Sequence, residues 1–132
     1  MIQVEIVSPQ GVVYSGQVES VNVPTVEGEV GILENHMYLM TLLKPGLVYF
    51  NGDDKNGIAV TYGVLDVTPK KVLILTEEAY EVGKLPPADK LKEEFEKAAK
   101  KLATAQTMEE YKEWEKAYEK ARTLLELIER LR

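Results

Sequence analysis

Glu27, Glu29, Glu34 and His36 bring three carboxylates and the chain's one imidazole into a single short stretch. These are metal-ligand residue types, but their spacing follows no metal signature, so solvated or structural roles are expected. Other reactive material is thin. Ser8, Ser15 and Ser20 share that one histidine, which leaves a Ser-His-acid arrangement little to work with. No glycine-rich loop ends in Lys-Ser/Thr, so a Walker-type nucleotide site is not expected. Asp53 and Asp54 lie in the polar stretch Asn51–Gly57, which lacks the ligand ladder and terminal Glu of a calcium loop. The absence of cysteine excludes thiol catalysis, disulfides and Cys-ligated zinc, and fits a reducing compartment. No catalytic residue, metal or cofactor is assigned, and an enzyme is not the expectation.

The elements that would carry such residues fall into two architectures. All nine glycines lie at or before Gly83 and all six prolines at or before Pro87. Up to that point short β-branched runs are broken by Gly, Pro and Asn. Ile2, Val4 and Ile6 alternate with polar residues, the period of a half-buried strand. Val12–Tyr14 reads as a short strand ended by Ser15–Gly16, and Val18, Val21 and Val23 as another stopped at Pro24. Lys44-Pro45-Gly46 is a turn signal after the apolar stretch Met37–Leu43. Leu47–Phe50 and Ile58–Tyr62 flank Asn51–Gly57 as a hairpin, and Val64, Val67 and Val72–Leu75 close the series. Close strand spacing without helical patterns between predicts a β-sandwich or barrel over 1–84.

From Ala88 to Arg132 there are 45 residues without Gly or Pro. Gly costs about 1 kcal/mol and Pro about 3 kcal/mol inside a helix, so this segment is helix-compatible throughout. Ala88, Leu91, Phe95, Ala98 and Leu102 form one amphipathic stripe, with Pro87 suited to the first turn. Tyr111, Trp114, Tyr118, Ala121, Leu125 and Ile128 form a second, coiled-coil-like seam. Thr107 with Glu110 makes a capping box between them, so residues 85–132 read as an α-helical hairpin hinged at Thr104, Ala105, Gln106 and Thr107. Nothing at that hinge enforces a left-handed conformation. The segment therefore suits either a hairpin or a longer helix, about 65 Å if continuous. The aromatic seam reads as hairpin core or as an interface exposed on opening. Lys112, Lys116 and Lys120 form one helix column, either a solvated face paired with nearby glutamates or a ladder for an acidic partner.

The net charge of −6 is uneven. Residues 1–84 hold 5 Lys/Arg against 11 Asp/Glu, whereas residues 85–132 hold 11 of each. Nucleic-acid binders concentrate positive charge, so a nucleic-acid partner is not expected. No charged-then-apolar leader is read, and the longest apolar runs are far below membrane-spanning length. A membrane would be reached only through partners.

Pro24-Thr25-Val26-Glu27-Gly28-Glu29-Val30-Gly31-Ile32-Leu33-Glu34-Asn35-His36, followed by Leu42-Leu43-Lys44-Pro45-Gly46, resembles the epsilon subunit of bacterial F-type ATP synthase. Ile6-Val7-Ser8-Pro9, Tyr14-Ser15-Gly16, Gly63-Val64-Leu65-Asp66-Val67 and Val72-Leu73-Ile74-Leu75-Thr76-Glu77 extend the likeness over 1–84, and it continues less strongly to the end. The resemblance implies an N-terminal β-sandwich and a C-terminal helical hairpin. It also implies a non-catalytic rotor subunit bound to the gamma shaft and the membrane c-ring, peripheral on the cytoplasmic face of the inner membrane. By position, Glu29, Val30, Gly31 and Ile32, with His36, would lie at the c-ring contact, in a Gly-bracketed loop that lets backbones approach closely.

The family's helices are also a regulatory arm. Extended along gamma, they inhibit hydrolysis, which would turn Lys112, Lys116, Lys120 and Arg122 toward acidic segments of the catalytic alpha and beta subunits. Some bacterial members bind ATP through Ile/Leu-Asp-x-x-Arg-Ala at the start of the first helix. Here Leu85-Pro86-Pro87-Ala88-Asp89-Lys90 puts Pro86 in place of the acid and Asp89 where the Arg should be. A carboxylate there repels phosphate, so weak or no ATP binding is expected. The competing reading from another class is a free-standing adaptor that uses the arm for coiled-coil pairing. It leaves the Glu27–His36 stretch without a use.

Overall fold

The computed structural model describes residues 1–131, which divide into two compact units, one from Met1 to Lys84 and the other beginning at Leu85. The first unit is a ten-stranded sheet curled into a sandwich close to a barrel. Its strands are β1 (Ile2–Ser8), β2 (Gly11–Val18), β3 (Ser20–Thr25), β4 (Gly28–Leu33), β5 (Leu39–Leu43), β6 (Gly46–Phe50), β7 (Asp53–Val60), β8 (Gly63–Val67), β9 (Lys71–Thr76) and β10 (Ala79–Glu81). The spatial order is β10-β7-β6-β3-β5-β8-β9-β1-β2, with β4 paired to β3 alone. All pairings are antiparallel except β1 with β9. Alternate residues of each strand fill the core: Val4 and Ile6, Val21 and Val23, Leu65 and Val67, Val72 and Ile74 are all buried.

Three local outcomes differ from the periodicity reading. β2 runs through Ser15–Gly16 to Val18, because Ile2 to Ile6 pair residue by residue with Val18 to Tyr14. At Gly16 a Cβ would stand 2.9 Å from the Tyr14 hydroxyl, so the glycine accommodates that ring instead of ending the strand. β3 likewise continues past Pro24 to Thr25, and the Pro24 carbonyl accepts the Lys44 N–H at 3.3 Å. The polar stretch 51–57 shrinks to a two-residue turn. Asn51 (φ 53°) and Gly52 (φ 74°) adopt the left-handed geometry of a tight hairpin, and the rest joins β7. Asn51 Oδ1 also accepts the N–H groups of Glu19 and Ser20 at 2.9 and 3.2 Å, which ties this turn to the start of β3.

Buried polar groups are satisfied. Thr76 Oγ1 accepts the Thr61 N–H at 3.0 Å and donates to the Glu78 carbonyl at 2.8 Å, while Thr61 Oγ1 accepts the Glu78 N–H at 3.0 Å. Among the described residues no buried side-chain nitrogen or oxygen lacks a partner.

The second unit is two packed antiparallel helices, α1 (Ala88–Thr104) and α2 (Met108–Arg130). Pro87 is the N-cap of α1 rather than its first helical residue, and its carbonyl accepts the Leu91 N–H at 3.1 Å. The junction is Ala105-Gln106-Thr107. Thr107 Oγ1 accepts the Glu110 N–H at 3.1 Å, and Glu110 Oε2 accepts the Gln106 N–H at 3.2 Å. This reciprocal cap is worth about 1 kcal/mol. Ala105 is extended (φ −62°, ψ 133°), and no residue of the junction has a positive φ. Further along α2 the buried positions are Ala121, Leu124 and Leu127, with Leu125 and Ile128 only half-buried. A straight helix turns every 3.6 residues, so its buried face drifts off a strict 3-4 seam.

Candidate functional site

The stretch singled out for chemistry folds as the hairpin β3–β4. Thr25 Oγ1 accepts the Glu27 N–H at 3.2 Å and donates to the Gly28 carbonyl at 2.6 Å, and Gly28 (φ 110°) completes the turn. Residues 28–33 then pair with β3 from Thr25↔Gly28 to Ser20↔Leu33. The open loop expected here is a paired strand, because Val30 and Ile32 supply two inward side chains that the core takes up. Ile32 is 1% exposed and serves the core, so it offers no side chain to a partner. Glu29, Gly31 and Leu33 form the outward face instead, Leu33 at 66% exposure.

Glu29 is held. Its Oε2 accepts Tyr49 Oη at 3.0 Å and Asn22 Nδ2 at 3.3 Å. Glu34 Oε1 lies 3.0 Å from the amino group of Met1, Asn35 turns the chain with φ 64°, and His36 follows half-buried. Among the described residues no three His, Asp or Glu side chains stand close enough to hold a metal ion. The arrangement is a fixed carboxylate on an accessible strand, suited to pairing with a cation of another chain.

A second surface was not singled out from the sequence. Register places Leu42 opposite Val64, Val64 opposite Leu75, Leu75 opposite Val7 and Val7 opposite Val12, all on the outer face. Leu42, Leu75 and Val12 are 58%, 43% and 62% exposed. Met40, at 71%, flanks the row on β5. The signal was there in Leu39–Leu43, broken only by Thr41, and in Val72–Leu75: runs apolar at consecutive positions mark strands covered on both faces. Here the core covers only one. Apolar rows of this kind across neighbouring strands are a feature of interaction surfaces.

One further concavity, a cavity of about 370 Å3, opens where β2, β6 and β7 meet the turn Val82–Lys84. Its wall is the Tyr14–Phe50 stack, with ring centroids 4.4 Å apart. Two of its polar groups are engaged elsewhere: Glu81 with Lys84 at 3.2 Å, and Asn56 Nδ2 with Asp53 Oδ2 at 2.7 Å.

On the helical unit, Lys112, Lys116 and Lys120 lie along α2 as the spacing requires. Lys112 has no ion pair among the described residues, whereas Lys116 and Lys120 each have an interaction of their own. Arg122 is engaged within the helix, 2.7 Å from Glu119 Oε2 and 3.9 Å from Glu126 Oε1. Leu85-Pro86-Pro87 precedes α1, and Ala88-Asp89-Lys90 forms its first turn. Thr104 ends α1 with its hydroxyl donating to the Lys100 carbonyl at 3.2 Å. No described helix is long and apolar enough to cross a membrane.

Residues 1–82 match the family model for the ATP synthase Delta/Epsilon chain, beta-sandwich domain. The chain belongs to this family. It is 92% identical over 106 residues to the ATP synthase epsilon chain of Aquifex aeolicus, covering 80% of each chain. To that of Hydrogenobaculum sp. it is 57% identical over 127 residues, covering 96% of this chain and 93% of the relative. Among solved structures it is similar to a chain of the Euglena gracilis mitochondrial ATP synthase, with a TM-score of 0.76 and 25% identity, over 93% of this chain and 78% of the other. A chain of the Tetrahymena thermophila mitochondrial ATP synthase shares the fold, with a TM-score of 0.70 at 14% identity over 96% of each. As an epsilon chain it is a non-catalytic subunit of the synthase.

Proposed function

We propose that this epsilon chain is a rotor subunit of the central stalk, coupling the gamma shaft to the c-ring and restraining hydrolysis with its helical arm. The observation that carries the coupling role is the outward apolar row on a chain of this family, with Leu42, Leu75 and Val12 exposed and Val64 and Val7 half-buried between them. An apolar row flanked by Asp66 and the Lys71–Glu5 pair (3.5 Å) suits a tight protein contact with a polar rim. Gamma is the partner assigned to it. The c-ring contact falls to the edge next to it: Glu29, Gly31 and His36 with Leu33 outward, and Val30 and Ile32 holding the strand from the core side. Attachment to the membrane then runs through the c-ring.

For the arm, the proposal is that an extended α2 presents Lys112, Lys116, Lys120 and Arg122 to acidic segments of the catalytic subunits. Arg122 must first exchange Glu119 and Glu126 for those partners, so Lys112 contributes most readily. Changing Lys112, Lys116 and Lys120 together to Gln is expected to relieve inhibition of ATP hydrolysis by the assembled synthase several-fold, since close charge pairs across interfaces carry large couplings. Inhibition equal to that of the unaltered chain would remove the ladder from the mechanism. The adaptor reading gains no support, because it assigns no partner to the Glu29 edge.

A further inference from the structure

The hairpin junction carries no left-handed residue and only one exposed cap, so neither backbone geometry nor capping accounts for its staying shut. Side chains near the junction supply what the backbone lacks. Trp114 of α2, the chain's one tryptophan, is approached by two cations of α1: Lys97 Nζ is 5.7 Å and Lys101 Nζ 6.0 Å from its ring centroid. One layer further from the junction, Phe95 stacks on Tyr118 with centroids 4.7 Å apart, and the Arg122 guanidinium stands 6.0 Å from that second ring. Lys97 and Lys101 are four residues apart, one helical turn, so both reach the same ring. Both lysines are exposed and Trp114 is half-buried, so the contacts draw on ring electrostatics and on the lysine stems covering the indole.

We infer that Lys97, Lys101 and Trp114 form a latch that sets how readily the helical hairpin opens. The inference rests on the arm reading only for its consequence in the synthase; the latch itself is a property of the isolated chain. Opening separates α1 from α2, removes both cations from the indole and uncovers the half-buried Trp114 and Tyr118 beside Tyr111, which is exposed already. The aromatic seam is thus half-covered in the closed hairpin and, once released, an apolar strip for whatever receives the extended arm. Because the latch is cationic on one side only, removing charge from Lys97 and Lys101 loosens it while leaving every apolar side chain in place.

Hydrogen exchange of the full chain tests this. Lys97→Gln/Lys101→Gln is expected to speed exchange across Met108–Tyr118 about fivefold or more, two exposed cation–π contacts having been lost. Lys97→Arg/Lys101→Arg keeps both cations and is expected to exchange like the unaltered chain. Lys100→Gln, on α1 without a ring contact, controls for charge loss alone. Exchange unchanged in the double Gln variant, or raised equally by Lys100→Gln, overturns the latch. The same variants assembled into the synthase separate it from the arm reading. Faster exchange with stronger inhibition supports both. Faster exchange with unaltered inhibition keeps the latch and rejects the arm.

Discussion

Leu42→Asp/Leu75→Asp is expected to weaken binding of this chain to the gamma shaft by about 100-fold or more while its own melting temperature stays nearly constant. Both side chains point outward, at 58% and 43% exposure, so neither fills the core. Burying a leucine stabilises an interface by about 1.5–3 kcal/mol, and two unpaired carboxylates add a desolvation cost there. At 1.4 kcal/mol per decade, the two leucines alone account for roughly two decades or more. Titration of the double variant against isolated gamma gives the result. Affinity within about threefold of the unaltered chain would move the shaft contact to another face.

Gly63→Ala is expected to destabilise the sandwich by about 3 kcal/mol, the upper range for forcing extra volume into a packed interior. Gly63 begins β8 and pairs with Thr76 of β9 and Leu43 of β5. A Cβ placed there would stand 1.8 Å from the Leu75 carbonyl oxygen. That neighbour is backbone in a central ladder, so it cannot rotate away as a side chain would. In a unit of this size the loss corresponds to roughly 15 °C in melting temperature. Gly83→Ala is the matched control: nothing lies within 4 Å of its Cβ, and a change of less than about 0.5 kcal/mol is expected. Thermal melts of the two variants side by side decide the matter, and a Gly63→Ala shift of only about 2 °C would contradict the close approach.

Local pattern carried much of the architecture. The alternation of Ile2, Val4 and Ile6 and the Gly- and Pro-free tail each correspond to an element, β1 and the pair α1–α2. Thr107 and Glu110 form the capping box that their spacing implies. The misread elements share one cause, since their structure depends on pairing with a neighbouring strand and not on their own pattern. Gly28–Leu33, with glycine at two of six positions, looks like a loop until β3 supplies its hydrogen bonds. Ser15–Gly16 looks like a stop until β1 runs alongside it. Ile32 could be placed at a contact by motif position, but only the register shows that it turns inward while Leu33 turns out.

The docking row was legible as composition and not as geometry. Leu42, Val64, Leu75 and Val7 are far apart in sequence, and only the order β5-β8-β9-β1 sets them side by side. The latch is similar, because antiparallel packing of α1 on α2 is what brings Lys97 and Lys101 to Trp114.

The central claim is that the sandwich couples the rotor while the helical unit only restrains it. Reconstituting a synthase that lacks this chain, once with the full chain and once with residues 1–84, and measuring ATP hydrolysis together with ATP-driven ion pumping tests it most directly. Both forms are expected to restore pumping and to co-purify with gamma and the c-ring, and hydrolysis is expected to be several-fold faster without the helices. Equal hydrolysis rates, or loss of assembly when the helices are removed, would contradict the account.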